Sequence, residues 1–198
     1  MMDLWTEERS LFSREIRLIC GVDEAGAGPL AGPVCAAAVI LPPELVIEGL
    51  NDSKKLTEKK REALFPVICE PAVAWAVAWA SAEEIDTINI LQARLLAMRR
   101  AVEQLDPTPD LALVDGNRAP LLPMPCRTLV KGDGRSANIA AASVLAKVSR
   151  DRLMLQLAEQ YPQYAFEQHK GYPTALHYAR LREYGPSPVH RRTFLKNL

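Results

Sequence analysis

The sequence predicts an α/β fold: a five-stranded mixed sheet with helices packed on it and a small helical C-terminal part. Three observations carry that expectation. Strand-like segments three times lead into an acidic residue beside glycine, at Asp23-Glu24-Ala25-Gly26, at Asp115-Gly116 and at Gly132-Asp133-Gly134. Two more apolar runs, 34–41 and 73–80, have the length of buried strands and are too short to cross a bilayer as helices. Long segments with helical periodicity lie between and after them.

The chain of 198 residues is 48% hydrophobic and 24% charged, which suits a soluble globular protein with core enough for one domain. Asp3, Glu7 and Glu8 stand where a secretory leader would be basic and then apolar, so a cytoplasmic protein is expected. Cys20, Cys35, Cys69 and Cys126 are scattered and form no Cys-x-x-Cys pair, and they read as buried thiols, not disulfides or zinc ligands. Zero net charge argues against a protein that coats nucleic acid. Yet residues 1–105 hold 11 basic against 16 acidic residues, and residues 106–198 hold 13 against 8. That split permits a phosphate-facing surface beside an acidic site.

Residues 1–16 carry a weak amphipathic pattern that predicts a short helix or a packed arm. The strand through Val22 is followed, after a short glycine-rich connection, by strand 34–41, and so short a link favours an antiparallel pair. Thr57 is a suitable N-cap for a helix running to Phe65, with Lys59, Lys60 and Arg61 on a solvated face. Segment 73–80 alternates large and small residues and reads as a third strand. Ser81-Ala82-Glu83-Glu84 forms a capping box, and Ile88, Leu91, Leu95, Met98, Val102 and Leu105 make a core-facing stripe ended by Asp106-Pro107. Strands at 111–114 and 127–131 precede a long helix from Ser136, whose Ala140-Ala141-Ala142 allows close packing on the sheet. Lys147, Arg150 and Arg152 are spread around that helix and read as mostly solvated. A loop, 168–174, opens a last helix.

Burying a carboxylate is costly unless it is neutralised, so Asp23 and Glu24 imply a metal ion or a strong donor network. An ordinary solvated strand end is the plain alternative, weakened by the threefold repeat. Successive strand side chains face opposite ways, so both acids can converge only if the strand ends near Asp23 or a bend turns Glu24 inward. Gly26 and Gly28 permit such a bend and let a sugar or phosphate approach the backbone. Lys54 and Lys55 lie in a loop suited to phosphate contact. His169-Lys170-Gly171-Tyr172 combines a cation, a ring and a glycine turn, which suits a sugar-phosphate backbone, although a core tyrosine at a turn would look similar. His169, His177 and His190 have no ligand-like spacing.

These pieces together resemble type 2 ribonuclease H, bacterial ribonuclease HII. The resemblance runs from Gly21 to Phe194 through Asp23-Glu24-Ala25-Gly26, Leu50-Asn51-Asp52-Ser53-Lys54-Lys55-Leu56, Asn89-Ile90-Leu91, Asp115-Gly116-Asn117, Lys131-Gly132-Asp133, Ala142-Ser143-Val144-Leu145-Ala146-Lys147 and His169-Lys170-Gly171-Tyr172-Pro173-Thr174. It implies one ribonuclease H-like domain over 1–198, with 160–198 a helical extension, acting as a monomer with no membrane partner in DNA replication and ribonucleotide excision repair. The implied activity is endonucleolytic cleavage of RNA in RNA-DNA hybrids and nicking 5' to single ribonucleotides in duplex DNA.

By position, Asp23, Glu24, Asp115 and Asp133 match the family's four catalytic, metal-binding acids. Hydrolysis at a phosphodiester to leave 3'-hydroxyl and 5'-phosphate ends suits two Mg2+ or Mn2+ ions held by oxygen ligands, with Asp23 the bridging acid. Lys54, Lys55, Ser143 and Lys147 fall in substrate or site-supporting segments, and Tyr172 matches a tyrosine that packs against the sugar beside the ribonucleotide. The chain departs at one position: Gly26-Ala27-Gly28 stands where the family has Gly-Arg-Gly, the loop that reads the 2'-hydroxyl. A DNA-directed nuclease of the same fold, or a hybrid-binding protein weakened in catalysis by Ala27, are the competing readings.

Overall fold

The computed structural model describes residues 3–196, so the outermost residues of segments 1–16 and 160–198 lie outside the described residues. One sheet runs in the order β3-β2-β1-β4-β5. Its strands are β1 (Ile19–Ala25), β2 (Val34–Ile40), β3 (Ala74–Ala80), β4 (Leu111–Asp115) and β5 (Cys126–Leu129). The glycine-rich link makes β1 and β2 antiparallel neighbours, and β2 pairs antiparallel with β3. β4 returns parallel to β1, and β5 parallel to β4. Three strands therefore finish at the same edge of the sheet.

The helices are α1 (Thr6–Arg9), α2 (Glu58–Cys69), α3 (Ala82–Glu103), α4 (Ala137–Gln160), α5 (Phe166–His169) and α6 (Ala175–Tyr184). Alternation along β1 and β4 splits the core in two. Cys20, Val22, Ala112 and Val114 pack with Ala93, Ala97 and Met98 of α3, while Ile19, Leu111 and Leu113 pack with Ile139 of α4. The two cores share one sheet, so a side chain's parity decides which helix it meets.

α4 sits unusually close to β1. A Cβ placed on Gly21 would lie 2.1 Å from the Asn138 carbonyl carbon and 2.2 Å from the Ile139 nitrogen. The run of buried alanines at the start of α4 leaves no bulk to hold the two apart. Asn138 Oδ1 accepts the Leu41 N–H at 2.7 Å, tying the helix to the end of β2. The N-terminal segment supplies both expected features, a short α1 and a packed arm. Trp5 Nε1 donates to the Leu45 carbonyl at 2.9 Å, and buried Glu8 accepts from Ser136 Oγ at 2.6 Å and from the Asn138 amide at 3.2 Å.

Several expectations shift. The core stripe of α3 runs through Ala93, Ala97, Met98, Ala101 and Val102, and Leu91 is exposed. Asn89, at φ +67°, interrupts the helix and resets the phase of its second part; its Oδ1 accepts the Gln92 N–H at 3.2 Å and caps that part. β5 stops at Leu129, because Lys131 turns left-handed into the short turn Gly132–Gly134. β1 continues through Ala25, with Asp23 and Glu24 both paired to β2, so neither of the two devices that would bring Glu24 to the side of Asp23 is used. Cys20 and Cys35 are buried, whereas Cys69 and Cys126 are partly exposed, and all four are free thiols. Among the described residues no helix is long and apolar enough to cross a membrane.

The backbone contact at Gly21 gives a direct test. Overpacking costs about 1–3 kcal/mol where side chains can yield, and here the obstacle is main chain, so Gly21→Ala is expected at the upper end. A thermal melt should fall by roughly 6–12 °C for about 3 kcal/mol in a chain of this size.

Candidate active site

Parallel pairing builds the site. Val22 stands opposite Val114 in the β1–β4 register, so the next residues, Asp23 and Asp115, stand side by side where the pairing of those two strands ends. β5 runs beside β4 and hands the chain to the turn carrying Asp133. One carboxylate oxygen from each of Asp23, Asp115 and Asp133 lies within 4.8 Å of the other two. The Gly132 amide donates to Asp115 Oδ1 at 2.7 Å, which locks the turn onto β4, and the Glu24 amide donates to Asp23 Oδ1 at 2.7 Å.

The fourth predicted acid is placed differently. Glu24 has the opposite parity to Asp23, and its carboxylate forms an ion pair with Arg94 of α3. The structure therefore brings three of the four acids together and keeps Glu24 beside them on the α3 side. Leu91, Arg94, Asp115, Asn117 and Arg118 line a cavity of about 170 Å³ on that side.

The cluster is electrostatically loaded. Burial, and then the charges of Glu24 and Asp115, push Asp23 well above the ordinary carboxylate range. Burial and the neighbouring Asp115 charge also raise Asp133. Glu24 is raised by burial against the pull of Arg94. An oxygen-only set of crowded carboxylates fits a hard divalent cation such as Mg2+ or Mn2+, which would relieve that repulsion.

Lys54 is the nearest cation, its Nζ 3.8 Å from Asp133 Oδ2 on a side chain 78% exposed. Partial burial works to lower its pKa, but the charges of Asp23, Asp133, Asp52 and Asp115 outweigh it and raise the ammonium above its usual value. The 3-10 turn Ser53–Lys55 that carries it is capped by Asp52, whose side chain accepts the Lys54 N–H at 2.9 Å. Ser143 lies beneath: its Oγ accepts the Ser53 N–H at 3.3 Å and donates to the Ala140 carbonyl at 2.8 Å. Ser143 is thus a buried support, and Lys55 is exposed.

The glycine loop is held by two buried arginines. Gly26, at φ +92°, lies against Arg150, and a Cβ there would fall 1.9 Å from its Nε. Arg150 donates to the Ala31, Pro33 and Lys170 carbonyls at 3.0–3.2 Å. Arg191 donates to the Gly26, Ala27 and Gly32 carbonyls at 2.6–2.9 Å. Beside the loop stands the half-exposed Tyr172, with Lys147 Nζ and the Arg150 guanidinium each 5.8 Å from its ring centroid. Lys147 also pairs with Asp151 at 2.7 Å.

Arg150 corrects the expectation of a solvated residue: it is fully buried, because the C-terminal part covers the second half of α4. Sequence reasoning gave no role to Arg94, Arg150 or Arg191, and none to the histidines. His169, His177 and His190 prove to be packed together, with His169 and His177 rings stacked at 4.3 Å. No local pattern marks them, since each arrives from a different segment.

With this geometry in view, comparisons place the chain among known proteins. The family model described as Ribonuclease HII matches residues 20–197. The chain is 64% identical to a Ribonuclease HII of Dechloromonas aromatica over 90% of this chain and 91% of that protein. It is 59% identical to a Ribonuclease HII of Janthinobacterium over 93% and 89%. Among solved structures, the ribonuclease H2 of Pyrococcus horikoshii superposes with a TM-score of 0.73 at 27% identity, covering 89% of this chain and 93% of that one.

The raised acids predict a stability cost. A carboxyl whose folded pKa lies above its unfolded value of about 3.9 contributes stability at low pH and loses it as pH rises through the folded value. Asp23→Asn removes that loss, so the metal-free variant should melt about 2–4 °C above the parent at neutral pH for each kcal/mol relieved. The gap should close toward pH 4, as read by thermal melts in chelator.

Proposed function

The chain belongs to the ribonuclease HII family, and from that premise we propose that it nicks duplex DNA 5' to an embedded ribonucleotide and cuts the RNA strand of hybrids, leaving 3'-hydroxyl and 5'-phosphate ends. It is a ribonuclease H, a hydrolase acting on RNA-DNA hybrids. The observation that carries the finer reading is the meeting of Asp23, Asp115 and Asp133 within 4.8 Å, on a surface that also carries Lys54.

Asp23, Asp115 and Asp133 would hold the metal, with Asp23 the bridging acid, because its carboxyl is buried and burial, then the charges of Glu24 and Asp115, push it well above the ordinary range. Two Mg2+ or Mn2+ ions, when bound, would supply the charge that activates water and stabilises the departing 3'-oxygen. Glu24 is the fourth acid of the set. Its pairing with Arg94 holds it off the others and sets how readily it joins them. Lys54 offsets part of the acidic charge and is free at its exposed end to meet a phosphate. Lys55 extends that cationic edge, Lys147 stands behind Tyr172, and Ser143 keeps the lysine turn in place.

Discrimination needs a group that senses the 2'-hydroxyl, the one local difference between ribose and deoxyribose. Main-chain groups at Gly26, Ala27 and Gly28 are suited to it, since Gly28 has nothing nearer than Tyr172, 3.9 Å from where its Cβ would stand. The Tyr172 ring would then pack against the neighbouring sugar. Work on hybrids in the cytoplasm, as a monomer serving replication and ribonucleotide repair, belongs to the same reading.

The decisive assay offers a DNA duplex with one ribonucleotide, beside an all-DNA control, in Mg2+ or Mn2+. Metal-dependent nicking 5' to the ribonucleotide with the control intact is expected. Cleavage of both duplexes would identify a DNA-directed nuclease, and tight binding without cleavage a hybrid-binding protein. Because burial and neighbouring charge make Asp23 and Asp133 hold protons above their ordinary range, the rate should climb from mildly acid to alkaline pH as they ionise. A flat profile with chemistry rate-limiting would remove that account.

A further inference from the structure

The three histidines pack together, His177 hydrogen-bonded to His190 and His169 stacked on His177 and bonded to main chain, and geometry dictates where each carries its proton. A carbonyl oxygen only accepts, so His177 Nδ1, 3.0 Å from the Tyr172 carbonyl, must carry a hydrogen and donate it. Neutral His177 then has a bare Nε2, which lies 3.0 Å from His190 Nε2, and His190 is the donor there. His190 Nδ1 is left bare and accepts the Ser187 amide at 2.9 Å. His169 closes the other side: its Nε2 donates to the Tyr164 carbonyl at 2.9 Å and its Nδ1 accepts the Gly171 amide at 3.1 Å.

One tautomer at each ring satisfies every contact, and an added proton on any of them would set two N–H groups against each other. Burial favours the same state, pushing His177 and His190 down to about 4. The His190–His177 pair ends on Tyr172, whose amide donates to the His169 carbonyl at 2.8 Å while its own carbonyl accepts the His177 Nδ1–H. At its other end His190 pairs with Ala31 in an isolated antiparallel bridge, and the next residue is Arg191, which grips the glycine loop.

We propose that His190, acting through His177, is a positioning residue for substrate: its Nε2–H keeps His177 in the tautomer that holds the Tyr172 backbone, and so sets the Tyr172 ring against the Gly26–Gly28 loop. This rests on the reading that Tyr172 and the loop meet the substrate. Neither histidine touches the acids, so the effect falls on binding and not on the chemical step.

The test compares His190→Phe, which keeps a ring but has no donor, with His190→Gln, whose amide can replace the Nε2–H, and with Tyr172→Ala. On the single-ribonucleotide duplex, His190→Phe should raise KM about tenfold, the order of one lost hydrogen bond, with kcat within about threefold. His190→Gln should restore most of the KM, and Tyr172→Ala should match or exceed the His190→Phe defect. Long-range proton–nitrogen spectra of the unsubstituted protein should find His177 protonated at Nδ1 alone. A normal KM in folded His190→Phe, a defect confined to kcat, or His177 protonated at Nε2 would each overturn the proposal. If His190→Phe does not fold, His190→Gln and the His177 spectrum decide it. An unchanged KM in Tyr172→Ala would instead overturn the substrate role of Tyr172, a separate failure.

Discussion

Repulsion among Asp23, Asp115 and Asp133 is the constraint around which the molecule is built. Three carboxylates within 4.8 Å would drift apart on flexible loops. Two of them sit on adjacent parallel strands, where register fixes their separation, and the third lies in a turn hydrogen-bonded to one of those strands. α4 then presses on β1 at Gly21 with main chain against main chain, leaving β1 no room to yield. Rigidity in the scaffold is what keeps the unfavourable charge arrangement in place, and a divalent ion bound there would turn it into a favourable one.

A second framework holds the loop and the ring beside it, and it uses a different device. Arg150 and Arg191 are both fully buried, and among the described residues neither forms a salt bridge. Burying a guanidinium without a counter-charge is expensive, and burial with the nearby Arg150 charge pushes Arg191 down to about 9. What offsets it is a set of carbonyls: Arg191 caps those of Gly26, Ala27 and Gly32, and Arg150 those of Ala31, Pro33 and Lys170. The planar, five-donor guanidinium can gather main-chain oxygens from several turns at once, which lysine cannot do. A chain segment far along the sequence thereby fixes the shape of the loop that succeeds β1.

The legibility of the sequence depends on the range of each signal. Asp23, Asp115 and Asp133 were readable because each repeats a local grammar of strand, acid and glycine, and parallel strands end on one edge. The placement of Glu24 was readable only in part: strand alternation forbade convergence with Asp23, but Arg94 could not be foreseen, since the break at Asn89 resets the face that α3 presents. Arg150 looked solvated because helical spacing says nothing about what later covers a helix. The histidine cluster was invisible for the same reason. His169, His177 and His190 meet only after positive-φ turns at Lys170, Gly171 and Gly185 fold the C-terminal part back on itself.

These contacts narrow what the alanine at position 27 changes. Arg191 binds the carbonyls of Gly26 and Ala27, and Arg150 packs on Gly26 where only hydrogen fits. None of these contacts uses the side chain of residue 27. The loop's shape is therefore set independently of that side chain, and the backbone groups suited to sensing a 2'-hydroxyl keep their places. What alanine lacks is a cation reaching outward from the loop, whose contribution in contact with a phosphate is electrostatic and screened by salt. The consequence belongs to affinity and its dependence on ionic strength, whereas the clustered acids, Asp23 and Asp115 fixed by strand register and Asp133 by its turn, use no contact with that side chain.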